Sequence, residues 1–304
     1  MESAIASPQD MQMLILSFIL ATMIFGLALD IKPSDFLHVV KEPKAPAAGL
    51  IAQFLLLPAT TYLITMVVDL NPAIELSMLL VASCPGGAMS NFITLLARGN
   101  VALSLSMTAV SSLLAIVLMP LNFGFWASLN PDTAAFLQAV EVDANGIFQM
   151  LIFVLAIPLL LGQIVRHFVP VLAAFAHKML KPTSFLILMG FVVVAVVQNF
   201  NAFMINFNVM FTIVLLHNAT AFLLGFIAAR IGKLDGPDTR AVSIEVGIQN
   251  SSLAITLIYS QFSGNADMLL IAALWGTWHL VAGFIVAGAS QFCMKNGKHA
   301  SSEE

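Results

Sequence analysis

Long apolar segments alternate with short polar segments along the whole chain. Several apolar segments reach the roughly 20 residues that a helix needs to cross about 30 Å of hydrocarbon. Read between Gly, Pro and charged boundaries, the pattern predicts nine membrane-spanning helices. Their predicted bounds are Met11 to Leu29, Ala47 to Val68, Ala73 to Leu96, Val101 to Met119, Ile147 to Val165, Thr183 to Val197, Val209 to Ala229, Ala241 to Phe262 and Met268 to Phe292.

The composition agrees with this interpretation. Hydrophobic residues occupy 60% of the 304 positions, charged residues occupy only 9%, and the mean hydropathy is +0.96. A soluble domain of this length has no core large enough to bury so much apolar surface. We therefore predict an all-α, polytopic membrane protein that resides in a lipid bilayer.

The basic residues all fall on one side of the predicted membrane. If the N-terminus is outside, the inner segments hold Lys32, Lys41, Lys44, Arg98, Arg166, Lys178, Lys181, Arg230, Lys233, Arg240, Lys295 and Lys298. The opposite loops lie around Asp69, Asp132 to Asp143, Asn201 to Asn208 and Gly264 to Asp267, and they contain no Lys or Arg. Short loops with Lys and Arg stay cytoplasmic. We therefore predict a cell (inner) membrane protein with the N-terminus outside and the C-terminus in the cytoplasm.

Several other classes find no support in the sequence. A net charge of −4 without a dense basic tract gives no footprint for nucleic acid. Cys84 and Cys293 have no partner at metal-ligand spacing, and no HExxH or Ser-His motif indicates an intramembrane enzyme. No obligate protein partner is evident. Two short stretches, Pro33 to Val40 and His167 to Leu180, are predicted to lie on the cytoplasmic membrane surface.

Two predicted spans contain features that interrupt a helix. The third span includes SCPGGAMSN (Ser83 to Asn91), in which Pro85 removes a backbone donor and two glycines follow. The eighth span includes SIEVGIQNSS (Ser243 to Ser252), a polar run at the same relative depth with Gly247 at its centre. We predict that both helices are broken near the middle of the membrane.

A faint internal repeat connects the two broken spans. A shift of about 165 positions sets Gln53 over Asn218, sets Gly99 and Asn100 over Gly264 and Asn265, and lays the third span over the eighth. The first repeat then covers residues 11–119, residues 147–165 are unpaired, the second repeat covers 183–292, and 293–304 form a cytoplasmic tail. Because five spans separate equivalent helices, the halves have opposite orientations, as in secondary transporters.

Glu245 is the only acidic residue that the pattern places well inside a span. An uncompensated charge there costs at least roughly 2.5 to 3.5 kcal/mol. No Lys or Arg is predicted at comparable depth, so a bound cation or a proton is the natural partner. A protonated Glu that bonds to a neighbouring helix is the alternative that stays open.

The other polar residues at the breaks suit a hard cation and an anion. Hydroxyls, amides, a carboxylate and unwound carbonyls are the hard oxygen ligands that such a cation prefers. Ser104 and Thr108 are four positions apart and share one helix face, although a single Ser or Thr in a membrane helix usually serves packing. The half-helix after the first break would point free amides at Ala88 and Met89 toward the protein centre, which favours an anion.

At these residues the chain resembles the bile acid:sodium symporter (BASS) family over nearly its whole length. Two elements are specific when they occur together, EVGIQN and CPGG followed by Ser-Asn. The chain looks like the nine-span form that lacks an extra leading helix. The matching motifs are IKPSDF (Ile31 to Phe36), CPGG with Ser90-Asn91, ARGNVALS (Ala97 to Ser104), His217-Asn218, EVGIQNS (Glu245 to Ser251) and Trp278-His279.

The resemblance implies a core domain with two crossing broken helices, packed against a panel domain. It also implies two bound sodium ions. One sodium site would use Ser90, Asn91, Ser104, Thr108 and Glu245. The other would use Gln53, Glu245 and Gln249 with the backbone carbonyls of Val246 and Ile248. The substrate would lie near Ala88, Met89, Asn250 and His279.

The function that the resemblance implies is sodium-coupled symport of an organic anion by alternating access. Bile acids, small carboxylates such as pantoate or pyruvate, and sulfated anions are all represented in the family. A proton-coupled carrier of the same architecture is the first alternative, because Glu245 is able to carry a proton. A channel or a sensor is the second alternative.

Overall fold

The computed structural model describes residues 8–29, 41–140, 144–176, 178–180, 186, 190, 193, 197 and 200–300. The described residues form helices joined by short turns, which confirms the all-α prediction for them. The first half of the chain contains α1 (Pro8–Ala28), α2 (Lys44–Val67), α3 (Pro72–Ser83), α4 (Met89–Leu96), α5 (Val101–Leu129) and α6 (Pro131–Val140). The second half contains α7 (Gly146–Phe168), α8 (residues 170–176 and 178–180), α9 (Phe200–Ile231), α10 (Gly236–Gly247), α11 (Ser251–Gln261) and α12 (Ala266–Ala300).

Five of the described helical segments are long and apolar enough to cross a membrane. They coincide with the predicted second, fourth, fifth, seventh and ninth spans, so the prediction of a polytopic membrane protein is confirmed. The third and eighth predicted spans are divided into half-helices, each too short to span alone. The five segments are Lys44–Val67, Val101–Leu129, Gly146–Phe168, Phe207–Ile231 and Ala266–Met294.

Large apolar side chains cover the outward faces of these helices. Val67 of α2 is 84% exposed, Phe153 of α7 is 66% exposed, and Leu216 of α9 is 59% exposed. Soluble monomers rarely leave extended apolar patches in contact with water. Lipid tails cover such faces, so this surface agrees with a bilayer environment.

Two segments that were predicted as loops are helical. Asp132 lies in α6, where Pro131 takes the first helical position and Asn130 Oδ1 accepts from Asp132 N at 3.0 Å. Residues 201–208 lie in α9. The loop prediction is wrong there because the residues between the three asparagines are apolar and include neither Gly nor Pro.

Three sequence predictions fall on the margins of the described residues. The predicted surface helix Pro33 to Val40 lies outside them. Residues 141–143, at the end of the predicted loop Asp132 to Asp143, also lie outside them. Of the predicted sixth span, only residues 186, 190, 193 and 197 are described.

A π-helical turn, Ala52–Leu56, interrupts α2 and contains the predicted sodium ligand Gln53. Pro58 follows it and has no N–H, so the Phe54 carbonyl four residues earlier loses its usual donor. Asn122 Nδ2 of α5 donates to that carbonyl at 2.8 Å. A side chain from a neighbouring helix thus satisfies the backbone group that the proline leaves free.

Candidate functional site

The two helix breaks pair with each other at the centre of the molecule. Gly87 N donates to Ile248 O at 2.7 Å, and Asn250 N donates to Pro85 O at 3.0 Å. These bonds form a short antiparallel bridge, the only extended pairing among the described residues. The backbone groups that would be orphaned by two broken helices therefore satisfy one another.

Glycine is required where the breaks touch. A Cβ on Gly86 would collide with the carboxylate of Glu245, and a Cβ on Gly87 would lie 2.8 Å from Gln249 O. Real Cβ atoms essentially never approach other atoms so closely. The two glycines of the CPGG motif therefore allow the first break to approach the acidic side chain of the second.

The Glu245 carboxylate is held by three hydroxyl groups from two other helices. Its Oε2 accepts from Ser90 Oγ of α4 at 2.6 Å and from Ser104 Oγ of α5 at 3.2 Å. Its Oε1 accepts from Thr108 Oγ1 at 2.7 Å. The Glu245 side chain is 2% exposed. Each hydroxyl that donates to the carboxylate keeps oxygen lone pairs for a cation.

Asn91 completes the first predicted ligand set. Its Oδ1 lies 3.4 Å from Thr108 Oγ1, and Ser90 Oγ lies 3.4 Å from the same hydroxyl. All five predicted ligands of this set are buried. The structure therefore brings Ser90, Asn91, Ser104, Thr108 and Glu245 together, although they come from three separate helices.

The second predicted ligand set is organised around a pair of amides. Gln53 Nε2 donates to Gln249 Oε1 at 2.7 Å, and Gln249 Nε2 donates to Gln53 Oε1 at 3.1 Å. Gln249 Nε2 also donates to Val246 O at 2.6 Å, and the Ile248 carbonyl accepts from Gly87. These four residues therefore converge at the second break.

The predicted substrate residues are near the breaks but do not all contact one another. The α4 helix starts after Ala88 without a side-chain cap, which leaves Met89 at an uncapped N-terminus. Asn250 caps α11 by accepting from Leu253 N at 3.1 Å. His279 of α12 is 5% exposed, and its buried Nδ1 has no hydrogen-bond partner within the described ranges. No hydrogen bond between described residues joins His279 to the other three.

The sequence alone did not single out two buried polar residues, Thr94 and Glu75. Thr94 Oγ1 donates to Ser104 Oγ at 3.4 Å and extends the hydroxyl cluster. Glu75 is a second buried acid at 2% exposure, and its carboxylate accepts from Leu70 N and Asn130 Nδ2 at the start of α3. Its position in the first turn of a helix, after the cap Asn71, was the signal that could have predicted it.

The charge environment of Glu245 favours a cation. In the part of the chain that the structure describes, no Lys or Arg donates to this carboxylate, and its donors are all hydroxyls. The described residues also contain no group of three or more His, Cys, Asp or Glu side chains that could hold a metal ion. One carboxylate among neutral oxygen ligands matches a hard monovalent cation better than a transition metal.

The chain is similar in sequence to a family of transporters. The sequence profile described as the Sodium Bile acid symporter family matches residues 17–206. An uncharacterized sodium-dependent transporter of Bacillus subtilis is 31% identical over 272 residues, which are 90% of this chain and 81% of the relative. A probable chloroplastic sodium/metabolite cotransporter of Arabidopsis thaliana is 30% identical over 266 residues, 86% of this chain and 63% of the relative.

A characterised animal carrier is also similar. The human ileal sodium/bile acid cotransporter is 27% identical over 249 residues, which are 82% of this chain and 70% of the relative. The bacterial, plant and human relatives have in common a name that denotes sodium-dependent transport.

Proposed function

Because the chain belongs to the Sodium Bile acid symporter family, we propose that it imports an organic anion together with two sodium ions by alternating access. The family and its named relatives are transporters and not enzymes. The protein is a multi-pass membrane protein with sodium as the coupling ion that its family implies. We propose the chemical class of the anion, the ratio of two sodium ions to one anion, and the roles of the individual residues.

The observation that carries the proposal is the hydroxyl cage around Glu245. A buried carboxylate in a bilayer needs a compensating charge. Ser90 and Thr108 bring hydroxyl oxygens within 2.7 Å of it, and these two oxygens lie 3.4 Å from each other. Each hydroxyl keeps lone pairs that a cation can use. Sodium at this position would be coordinated by Ser90, Asn91, Ser104, Thr108 and Glu245.

The second sodium ion is assigned to the amide pair at the second break. Its ligands would be the side chains of Gln53, Glu245 and Gln249 and the carbonyl oxygens of Val246 and Ile248. Unwound carbonyls next to half-helix ends coordinate sodium in other transporters. Shared use of Glu245 would link the two ions energetically, since one carboxylate neutralises part of both charges.

The organic anion is assigned to the space beside the breaks, near Ala88, Met89, Asn250 and His279. The uncapped N-terminus of α4 offers backbone amides and the positive end of the helix dipole. Among the described residues, the buried Nδ1 of His279 has no hydrogen-bond partner, so it offers a hydrogen-bonding group to the anion. A carboxylate or sulfate group fits this chemistry.

An inverted repeat supports alternating access. Arg98 and Ser263 both adopt positive φ, 54° and 50°, at positions related by the predicted shift of about 165. The asparagines that follow, Asn100 and Asn265, both cap the next helix by accepting from the backbone amide three residues on. We therefore retain the proposal of nine spans with a core and a panel, repeats at 11–119 and 183–292, an unpaired span at 147–165, and a cytoplasmic C-terminus in the cell membrane.

The relatives' names narrow the substrate class. One name specifies bile acid and another specifies metabolite. We therefore propose a bile-acid-like anion or a small carboxylate for this chain. The test is a thermal-unfolding screen of the purified protein with a bile acid, pantoate, pyruvate and a sulfated anion, each with sodium and with choline. A substrate should raise the Tm in sodium and much less in choline.

A proton-coupled carrier of the same architecture is the second candidate. It is favoured by the same buried carboxylate, because a proton is able to neutralise Glu245 as a cation does. Three hydroxyl donors on one carboxylate suit its ionised form better, because a protonated carboxyl would itself need an acceptor. Anion binding that requires low pH and does not depend on sodium concentration would favour proton coupling.

A further inference from the structure

Asn218 of α9 is a buried amide that contacts the second break. Its Nδ2 donates to the Gly247 carbonyl at 2.8 Å, and the side chain is 0% exposed. Gly247 is the last residue of α10, so its carbonyl is one of the helix-end acceptors that lack a regular partner. The amide four residues on, Ser251 N, donates to Gln249 O instead. Asn218 therefore supplies the hydrogen bond that the break removes.

Gln53 supplies the corresponding hydrogen bond to a backbone carbonyl at the first break. Its Nε2 donates at 2.7 Å to the carbonyl of Cys84, the residue that directly follows α3. Gln53 and Asn218 are the two residues that the predicted repeat superimposes. Each half of the chain thus provides one amide, from the helix before the broken pair, to the carbonyl at a break.

Three contacts of neighbouring residues hold α9 in place near Asn218. The preceding residue, His217, has Nδ1 accepting from Trp275 Nε1 at 3.3 Å and Nε2 lying 2.7 Å from Thr61 Oγ1. In addition, Gly247 packs so closely on Phe222 of α9 that a Cβ on Gly247 would collide with the phenyl ring. The short side chain of Asn218 therefore reaches the break from a helix that is held on both sides.

We propose that Asn218 is a positioning residue of the second sodium site, an inference that rests on the proposed function. The Gly247 carbonyl lies between those of Val246 and Ile248, which are assigned as sodium ligands. A hydrogen bond to the middle carbonyl limits rotation of the two neighbouring peptide planes. Without the donor, the buried Gly247 carbonyl would turn toward another donor and take the flanking carbonyls out of position.

The amide of Asn218 works through its donor alone. Its Oδ1 has no hydrogen-bond partner among the residues that the structure describes. A replacement that keeps an amide donor should therefore preserve the sodium site, whereas an apolar replacement of similar size should not. Asn218→Gln is the conservative variant, because the repeat-related position uses Gln for the same kind of bond.

The experiment is a sodium titration of the purified full-length protein in detergent, with choline chloride holding the ionic strength constant. The Tm is recorded against sodium concentration for wild type, Asn218→Leu, Asn218→Gln and Gln291→Leu. Gln291 is the matched control, because its Nε2 donates to the carbonyl of Leu96, the last residue of α4, at 2.6 Å and away from the breaks.

In Asn218→Leu the sodium concentration needed for a given rise in Tm above the value in choline should increase about tenfold, which corresponds to about 1.4 kcal/mol. Asn218→Gln should need the same sodium concentration as wild type, and Gln291→Leu should lower the Tm in choline without changing the sodium concentration needed. If Asn218→Leu is not recovered folded, Asn218→Ala also removes the donor and carries the same expectation.

The sodium titration distinguishes failure of the proposed function from failure of the inference about Asn218. A wild-type protein that sodium does not stabilise contradicts the proposed function itself. Stabilisation of wild type by sodium, together with an unchanged sodium requirement in the variant that lacks the donor, overturns the role of Asn218 alone. A change confined to the Tm in choline would assign Asn218 to folding only and would also overturn the proposal.

Discussion

The amides of Gln53 and Gln249 form a reciprocal hydrogen-bonded pair, although the two residues are 196 positions apart in the chain. One belongs to the π-helical turn of α2 and the other to the break after α10. Each amide oxygen accepts from its partner, so a sodium ion that takes these oxygens as ligands must compete with the pair. The two residues should therefore act as one unit in sodium binding.

This pairing predicts non-additive effects of Gln53→Ala and Gln249→Ala. Either substitution alone should reduce sodium-driven uptake strongly, and the double substitution should add little. Contacting residues typically show coupling energies of about 0.5–3 kcal/mol. The measurement is the initial uptake rate against sodium concentration for the two single variants and the double variant. Two effects that simply add would show that the amides do not share a site.

Glu245→Gln should abolish sodium-driven uptake while the protein still inserts into the membrane. The amide keeps the size of the side chain but removes the charge that is assigned to both ions. Glu245→Ala should have the same result. Uptake of the identified anion into proteoliposomes, at equal protein density, measures the effect. Normal sodium dependence in either variant would refute the assignment of the ion sites.

Glu75→Gln is the matched control for the loss of a buried carboxylate. Glu75 is as buried as Glu245, but its partners are Leu70 N and Asn130 Nδ2 at the start of α3. Its substitution should lower the Tm by weakening hydrogen bonds to a charged group, which contribute about 1.5–3 kcal/mol each. The sodium dependence of uptake should stay that of wild type.

Gly86→Ala should impair transport more than expression. A Cβ at this position would collide with the Glu245 carboxylate, so either the carboxylate leaves its hydroxyl cage or the first break moves away. Gly124→Ala is the control, because a Cβ on Gly124 of α5 meets nothing within 4 Å. Alanine there should be neutral or stabilising by roughly 0.5–1 kcal/mol. Equal uptake by both variants would mean that the close approach at Gly86 has no role in transport.

Asn122→Leu should destabilise the protein, because it leaves the Phe54 carbonyl without the donor that replaces the one lost at Pro58. An unsatisfied buried carbonyl costs about 1–3 kcal/mol. The Tm of the purified protein measures the loss. Ser128→Ala removes an exposed hydroxyl from the same helix and should leave the Tm unchanged.

The local features of this site could be predicted from the sequence because they depend on residue chemistry. Pro85 and the two glycines after it all disfavour a continuous helix. An acid such as Glu245 inside an apolar segment signals a bound cation or proton by its cost alone. The four-residue spacing of Ser104 and Thr108 correctly predicted one shared face, and both hydroxyls bond to Glu245.

The long-range contacts could not be derived from pattern alone. The bond from Gly87 to Ile248 joins two breaks that share no periodicity, and it forms only when the half-helices pack. Glu75 was missed because its compensation comes from Asn130, more than 50 positions later in the chain. The helix α6 was predicted as a loop because polar residues at a chain reversal resemble both a loop and a capped helix.

We propose that two sodium ions enter with one anion in each transport cycle. If the anion is monovalent, each cycle moves one net positive charge inward, so import is driven by voltage as well as by sodium. A potential of about 100 mV contributes roughly 2.3 kcal/mol per charge. A tenfold sodium gradient adds about 1.4 kcal/mol per ion, near 5 kcal/mol in all, which supports accumulation of several thousandfold.

The most direct measurement is uptake of the identified anion into proteoliposomes with an imposed sodium gradient. Potassium and valinomycin set the membrane potential at a series of values. We expect both the initial rate and the final accumulation to rise as the interior is made more negative. Both should vanish without sodium. Uptake that ignores voltage would contradict the two-to-one stoichiometry, and uptake that follows a pH gradient in the absence of sodium would contradict sodium coupling itself.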